Sequence, residues 1–413
     1  MTQSAMFTRR QVLRQLANLP VVGGFLGGLG TDVGSGLAPS DASDDEYRDY
    51  FNELGLRTFI NAHGTITALS GSRMPPEVRD AWNYATHHYV NLDAIQDKAG
   101  ERIADLIGCE YATVTAGAFS AMTLGLAGVM SGKDREKVQQ LPDTTGLKDE
   151  VIVLKPPHSV SYVHALKNTG ATLIEVKTRE ELESAITENT AMLFVMNAYN
   201  GSSVEKEELV AVGKKHGIPT FNDCAADVPP KKRLWQYTDM GFDLVAFSGG
   251  KGLRGPQSAG LLLGREDLIR AARLHAPPRG NTIGRGMKVN KEEVLAMMVA
   301  VERYMELDHE AQWGRWKSQI EFIQSTVEAV DGVDTEYYVP DIANHVPSLR
   351  ITWNEDRIDM TPAEADEKLK QGHPSIETGG GSQGLNVATW MMGEEEVRTV
   401  AYRIRDVLKN AAA

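Results

Sequence analysis

Between residues 111 and 263 short apolar runs alternate with helical patterns, and this alternation is the tightest constraint on how the chain can fold. Strand-like runs fall at 111–115, 150–154, 172–176, 191–196, 218–222, 244–247 and 260–263, with helical patterns at 120–130, 159–168, 179–186 and 206–216. Strands joined through helices are crossovers, so the sequence predicts an α/β domain: a mostly parallel sheet with helices on both faces. Upstream lie a short helix at 46–54, an extended segment at 58–65 that ends in glycine, and helices at 75–88 and 96–107. After Arg285 the character changes. Residues 291–330 read as a long helical stretch, broken near Gly314, that links two domains. Strands at 334–339, 347–353 and 385–390 with helices at 362–370 and 394–409 then make a small α+β domain. The expected division is 44–290 for the large domain, 291–330 for the linking helix and 331–413 for the small domain.

In an open α/β sheet ligands bind at the carboxyl ends of the strands, and several polar residues fall there. Residues 247–257 read Phe-Ser-Gly-Gly-Lys-Gly-Leu-Arg-Gly-Pro-Gln, so one lysine, Lys251, sits on a glycine turn between Ser248 and Arg254. A lysine flanked by anion-binding groups suits condensation with a phosphorylated aldehyde such as pyridoxal phosphate; a solvated turn also fits. Asp223 follows the run 218–222, where a buried carboxylate pairs with a protonated pyridine nitrogen; a turn or cap aspartate is the plainer alternative. The small residues Gly117 and Ala118, with Phe119, open a helix after a strand and offer backbone amides to a phosphate. His158 follows a strand and two prolines, where it either stacks on a ring or is a satisfied loop histidine. Asn200 follows the strand ending at Met196, where it either meets a ring oxygen or makes an Asn-Gly turn.

The net charge of −13 argues against a polyanionic partner, because nucleic-acid affinity rests on neutralising phosphates. Two cysteines, Cys109 and Cys224, lie far apart, giving no disulfide framework and no metal-ligand spacing. Residues 1–43 are of another kind. Arg9 and Arg10 precede a mildly apolar, glycine-rich run at 16–29 and then a polar stretch. The run is too short and glycine-rich for a membrane span. It resembles a twin-arginine export signal, with Ala38 and Ala42 near the cleavage side, and predicts an exported, periplasmic protein. An unprocessed leader or an anchor on a cytoplasmic protein is the alternative.

Together these segments resemble the selenocysteine synthase (SelA)-like family of fold-type I pyridoxal-phosphate enzymes. That family includes L-seryl-tRNA selenium transferase and D-glucosaminate-6-phosphate ammonia lyase. The resemblance is carried by Asn61-Ala-His-Gly-Thr65 with Gly71-Ser-Arg73, by residues 114–121 and 247–257, and by Ile283-Gly-Arg-Gly-Met-Lys288 leading into Lys291-Glu-Glu293. It implies a seven-stranded large domain, a small C-terminal domain, pyridoxal 5'-phosphate as cofactor and at least a homodimer. It implies Lys251 as the lysine that condenses with the aldehyde, Asp223 as the pyridine partner and His158 as the stacking ring. Gly117, Ala118, Ser248 and Arg254 would hold the phosphate. The family chemistry is loss of a β-substituent, ending in ammonia release or in replacement by a nucleophile.

The chain also departs from the family pattern. Only a short stretch separates the leader from the first matching segment, so the nucleic-acid-binding region of the tRNA-dependent members has no counterpart. No arginine stands on the last strand, 385–390, where related folds bind a substrate carboxylate. Arg73 and Arg350 are substitutes, and Arg279 and Arg285, in a glycine-proline loop, are further substrate candidates. Arg265, Arg270 and Arg273 fit a solvated helix face better. The reading is a β-eliminating, ammonia-releasing lyase on a small amino acid or amino-sugar acid. A selenium-transferase-type replacement, an aldolase, a racemase, an aminotransferase or a non-catalytic binding protein on the same fold are the alternatives.

Overall fold

A computed structural model describes residues 48–155 and 161–412. The leader and His158 lie outside the described residues. Residues 48–56 form a unit of their own, with one short helix, Tyr50–Glu53. Asp49 caps it by accepting from the Asn52 amide at 3.0 Å, so the helix starts later than the expected 46.

From Arg57 onward the strands are β1 (Phe59–Asn61), β2 (Tyr111–Thr115), β3 (Glu150–Leu154), β4 (Thr172–Val176), β5 (Thr190–Met196), β6 (Thr220–Asp223), β7 (Leu244–Ser248) and β8 (Gly260–Gly264). They continue as β9 (Val333–Tyr338), β10 (Ser348–Trp353), β11 (Ser375–Glu377), β12 (Gly379–Gly381) and β13 (Gly384–Ala388). Seven of them form the large sheet in the order β2-β8-β7-β6-β5-β3-β4. Only β8 runs against its neighbours. Every residue of β2, β5 and β6 is buried, as a sheet covered on both faces requires. The period of two sorts the side chains into two cores. Ile152, Leu154, Leu193, Val195, Val245 and Phe247 fill one face, and Val151, Val153, Met192, Phe194, Leu244 and Ala246 the other.

Helix Gly117–Ser131 is apolar nearly all round because it is enclosed nearly all round. Its glycines let its neighbours approach: a Cβ on Gly128 would lie 2.5 Å from the Ala272 nitrogen, in helix Glu266–Leu274. The stretch 291–330 is two helices, Lys291–Glu306 and His309–Val327. The break falls at Leu307–Asp308, where Asp308 caps the second helix, and not near Gly314, which lies exposed inside it. The expected helix at 159–168 is, within the described residues, a 3-10 turn, Ser161–Val163, and one α-helical turn, His164–Lys167. Helices Arg135–Gln140 and Arg233–Met240 were not legible in the apolar pattern, the first because it is short and polar.

The second sheet is antiparallel, in the order β12-β13-β10-β9, with helices Pro362–Gln371 and Glu394–Lys409 packed with it around a third core. β1 pairs in parallel with β11, Phe59 opposite Ser375 and Asn61 opposite Glu377. The segment at 59–65, expected only as an extended lead-in, is thereby fixed to the C-terminal part of the chain. No helix among the described residues is long and apolar enough to cross a membrane.

Candidate active site at the carboxyl edge of the large sheet

β2, β6 and β7 end at one edge of the sheet, and β8 begins there, with Gly260 between Thr115 and Ser248. A cavity of about 360 Å³ opens at this edge, with Gly117, Ala118, Phe119, Asp223, Ser248 and Lys251 in its wall.

Lys251 is held on a turn that closes on itself. The Arg254 amide donates to the Lys251 carbonyl at 3.0 Å, and the Gly255 amide to Gly249 at 2.9 Å. The flanking glycines are steric necessities: a Cβ on Gly250 would sit 2.4 Å from the Gln257 Cα, and one on Gly252 2.1 Å from the Val228 carbonyl oxygen. Burial lowers the pKa of the Lys251 amine, and Asp223 and Asp227 oppose that shift. Asp223 is 6% exposed, and Oδ1 accepts from the Ala225 amide at 3.1 Å. Burial pushes its pKa up to about 6; Asp227 adds to the rise, while the Ala225 amide and Lys251 oppose it. Asp227 is itself buried, and Oδ2 accepts from Asn197 Nδ2 at 2.5 Å and from the Tyr237 hydroxyl at 2.8 Å.

Across the cavity, helix Gly117–Ser131 begins with no side-chain cap and with Gly117 at φ 82°. Its first-turn amides therefore have no side-chain acceptor. A Cβ on Gly260 would lie 2.5 Å from the Gly117 carbonyl carbon, so this cradle exists only because residue 260 lacks a side chain. Uncapped amides at a helix N-terminus, in the same cavity wall as Ser248, are groups that could receive a phosphate.

The remaining candidates are placed elsewhere. Arg254 is not part of the cavity wall; its Nε donates to the Arg73 carbonyl at 3.1 Å, tying the lysine turn to the N-terminal segment. Asn200 is outside that wall too. Its Oδ1 accepts from the Ser202 amide at 3.1 Å and hydroxyl at 2.8 Å, the turn role an Asn-Gly pair favours. Arg73 pairs with Glu396 at 3.0 Å, Arg279 with Asp93 at 2.8 Å and Arg350 with Glu336 at 2.6 Å, so each spends its charge on a carboxylate outside the cavity. Arg285 is exposed in its loop and is not part of the cavity wall. Arg265, Arg270 and Arg273 pair with acids around their helix. Tyr162, Tyr199 and Asn344 line the cavity without having been singled out, as do Thr65 and Gln257, which entered only as members of longer motifs. Asn344 carried one local signal, a polar residue suited to a left-handed turn, and it takes φ 51°. Its amide N–H donates to the Ala226 carbonyl at 2.8 Å, roofing the site with the β9–β10 connection.

The family model for L-seryl-tRNA selenium transferase matches residues 59–330, the span that contains this cavity's large-sheet walls. The chain belongs to the SelA family. Among SelA-family relatives, the D-glucosaminate-6-phosphate ammonia lyase of Salmonella typhimurium (strain 14028s / SGSC 2262) is 28% identical over 381 residues, covering 88% of this chain and 98% of that protein. An L-seryl-tRNA(Sec) selenium transferase of Geobacter metallireducens is 26% identical over 283 residues, 61% of this chain and 57% of that one. A solved D-glucosaminate-6-phosphate ammonia-lyase superposes with a TM-score of 0.77 at 25% identity, covering 88% of this chain and 99% of that structure. SelA-family enzymes depend on pyridoxal 5'-phosphate, and this chain is one of them. The residues present fit that cofactor: an uncapped helix start for its phosphate, a buried carboxyl for its ring nitrogen and a buried lysine for its aldehyde.

Proposed function

We propose that this protein is a lyase that eliminates a β-substituent from a small 2-amino acid or amino-sugar acid and releases ammonia. The observation that carries the reading is Lys251 and Asp223 in one cavity wall, in a chain similar to an ammonia lyase over nearly that lyase's whole length. Bound pyridoxal phosphate supplies an aldehyde for the substrate amine and a ring that draws electrons from the α-carbon. The protein's own residues do the rest. Gly117, Ala118, Phe119 and Ser248 would hold the phosphate, with backbone amides as donors. Asp223, a buried carboxyl in the same wall, would hold the proton on the ring nitrogen. Lys251, its pKa lowered by burial, stands in the same cavity wall to take the α-proton and return it.

The test is the absorbance of the purified protein loaded with the cofactor. A band near the visible edge that borohydride removes, and that is missing in Lys251→Ala, is expected together with ammonia release from 2-amino acids or 2-amino sugar acids. A protein that takes up no cofactor, or a Lys251→Ala variant with an unchanged spectrum and full activity, would refute the assignment.

The assembly proposed is a homodimer with the cavity mouth at the boundary. Ile66, Phe119, Tyr162 and Tyr199 support it, since all four line the cavity and remain partly open to solvent. Residues 1–43 are proposed to direct export. A reporter carrying this leader should reach the periplasm, and changing Arg9 and Arg10 to lysine should stop it; equal export of both forms would count against the signal.

A further inference from the structure

A second cavity, of about 320 Å³, adjoins the first, and Ala343 and Asn344 belong to the walls of both. Its other walls come from His63 just after β1, Tyr338 at the end of β9, Gly379 and Asn386 on β12 and β13, and Trp390 just beyond. Two glycines keep it open beside its heteroaromatic rings. A Cβ on Gly64 would sit 3.0 Å from Trp390 Nε1, and one on Gly379 would sit 3.2 Å from His63 Nε2.

Several polar groups here are already satisfied. Asn386 Nδ2 donates to the Gly379 carbonyl at 2.9 Å, the Tyr338 hydroxyl to Asn386 Oδ1 at 3.4 Å, and the Ser348 hydroxyl to Val346 at 3.1 Å. Trp390 is different. It is 5% exposed, and its Nε1 has no acceptor among the described residues. A buried N–H left without a partner is costly, and an indole can only donate. Asn344 accepts from the Thr65 hydroxyl at 3.1 Å, which leaves its amide N–H₂ to donate. Among the described residues this wall contains no lysine, arginine, aspartate or glutamate. The charged groups acting on His63 are Asp366, Glu377 and Lys370, and the lysine pairs with both acids, so a phosphate or carboxylate brought here would meet a net negative surround, whereas hydroxyl groups would find the donors.

We propose that the second cavity receives the far end of the substrate, an uncharged hydroxylated chain on the 2-amino acid whose α-carbon is presented to Lys251. Trp390 Nε1 and the Asn344 amide donate to its hydroxyls, and His63 completes the wall. The inference rests on the lyase reading and narrows it. The S. typhimurium relative is named for a 6-phosphorylated amino-sugar acid; the uncharged cavity here selects the same kind of acid without a phosphate.

The test compares 2-amino-2-deoxygluconate, its 6-phosphate and serine on the cofactor-loaded protein, following ammonia release, with calorimetric binding to Lys251→Ala in parallel. The unphosphorylated sugar acid should exceed its 6-phosphate in kcat/KM by about tenfold or more. Trp390→Phe, which keeps the ring and deletes the N–H, should raise KM for the sugar acid about tenfold more than for serine, with kcat little changed. Gly379→Ala, which crowds His63, should act in the same direction should the tryptophan variant fold poorly. Preference for the 6-phosphate, or equal effects of both variants on serine and the sugar acid, overturns the proposal. Should no compound release ammonia, the lyase reading fails, while the calorimetry still shows whether the cavity prefers the unphosphorylated chain.

Discussion

At the scale of single residues, Asp223 and Lys251 share one cause for opposite shifts: burial disfavours the charged form of each, raising the acid and lowering the base. Without the cofactor, the Asp223 shift is a stability term with a definite sign. A carboxyl whose pKa rises from 3.8 to about 6 on folding favours the folded state fully only below its ordinary pKa. That contribution is lost as pH rises through about 6. Asp223→Asn, neutral throughout, should therefore gain stability over the cofactor-free parent above pH ~6, by up to about 3 kcal/mol, and lose the gain near pH ~4. Thermal unfolding of both proteins across that range measures it; a difference independent of pH would mean that Asp223 carries no such shift. The same substitution should weaken cofactor binding, because an amide gives the ring proton no charged partner.

At the scale of elements, the helices after Arg285 show how capping overrides composition. Gly314 is the obvious weak point in the sequence, yet it lies within a helix, exposed, where a Cβ would meet nothing. The chain breaks where Asp308 can accept from the Ala311 amide at 2.9 Å. Opposite effects follow. Asp308→Ala should cost about 1 kcal/mol of unfolding free energy, and Gly314→Ala should add about 0.5–1 kcal/mol. Denaturant titration of each variant decides the matter, and stabilisation by Asp308→Ala would contradict this placement of the break. The central strands were legible for a simpler reason. Uninterrupted apolar runs such as 191–196 have one good solution, a strand buried on both faces. Helix 233–240 was not, because its two buried residues, Leu234 and Tyr237, give too sparse a stripe to recognise.

At the scale of the whole molecule, distant segments of one chain build both cavities. β1 beside β11 carries His63 and Thr65 to the site, and the connection after β9 carries Asn344 over it. Light scattering on the purified protein should give twice the chain mass, as the proposed dimer requires. A monomer that retains full activity would remove the second copy from the site.

The sequence by itself determined the strand–helix alternation, the lysine on its glycine turn, the acid at the end of β6 and the glycine-led helix start after β2. Each is a local pattern whose chemistry is written within a few residues. Tertiary structure alone decided the fate of the arginines and the shape of the substrate space. A guanidinium is drawn to whatever carboxylate or carbonyl the fold brings near, so Arg73, Arg254, Arg279 and Arg350 could be assigned only once Glu396, the Arg73 carbonyl, Asp93 and Glu336 were in place beside them. Trp390, His63 and Asn344 meet because β1 pairs with β11 and β10 with β13, contacts that no local pattern encodes.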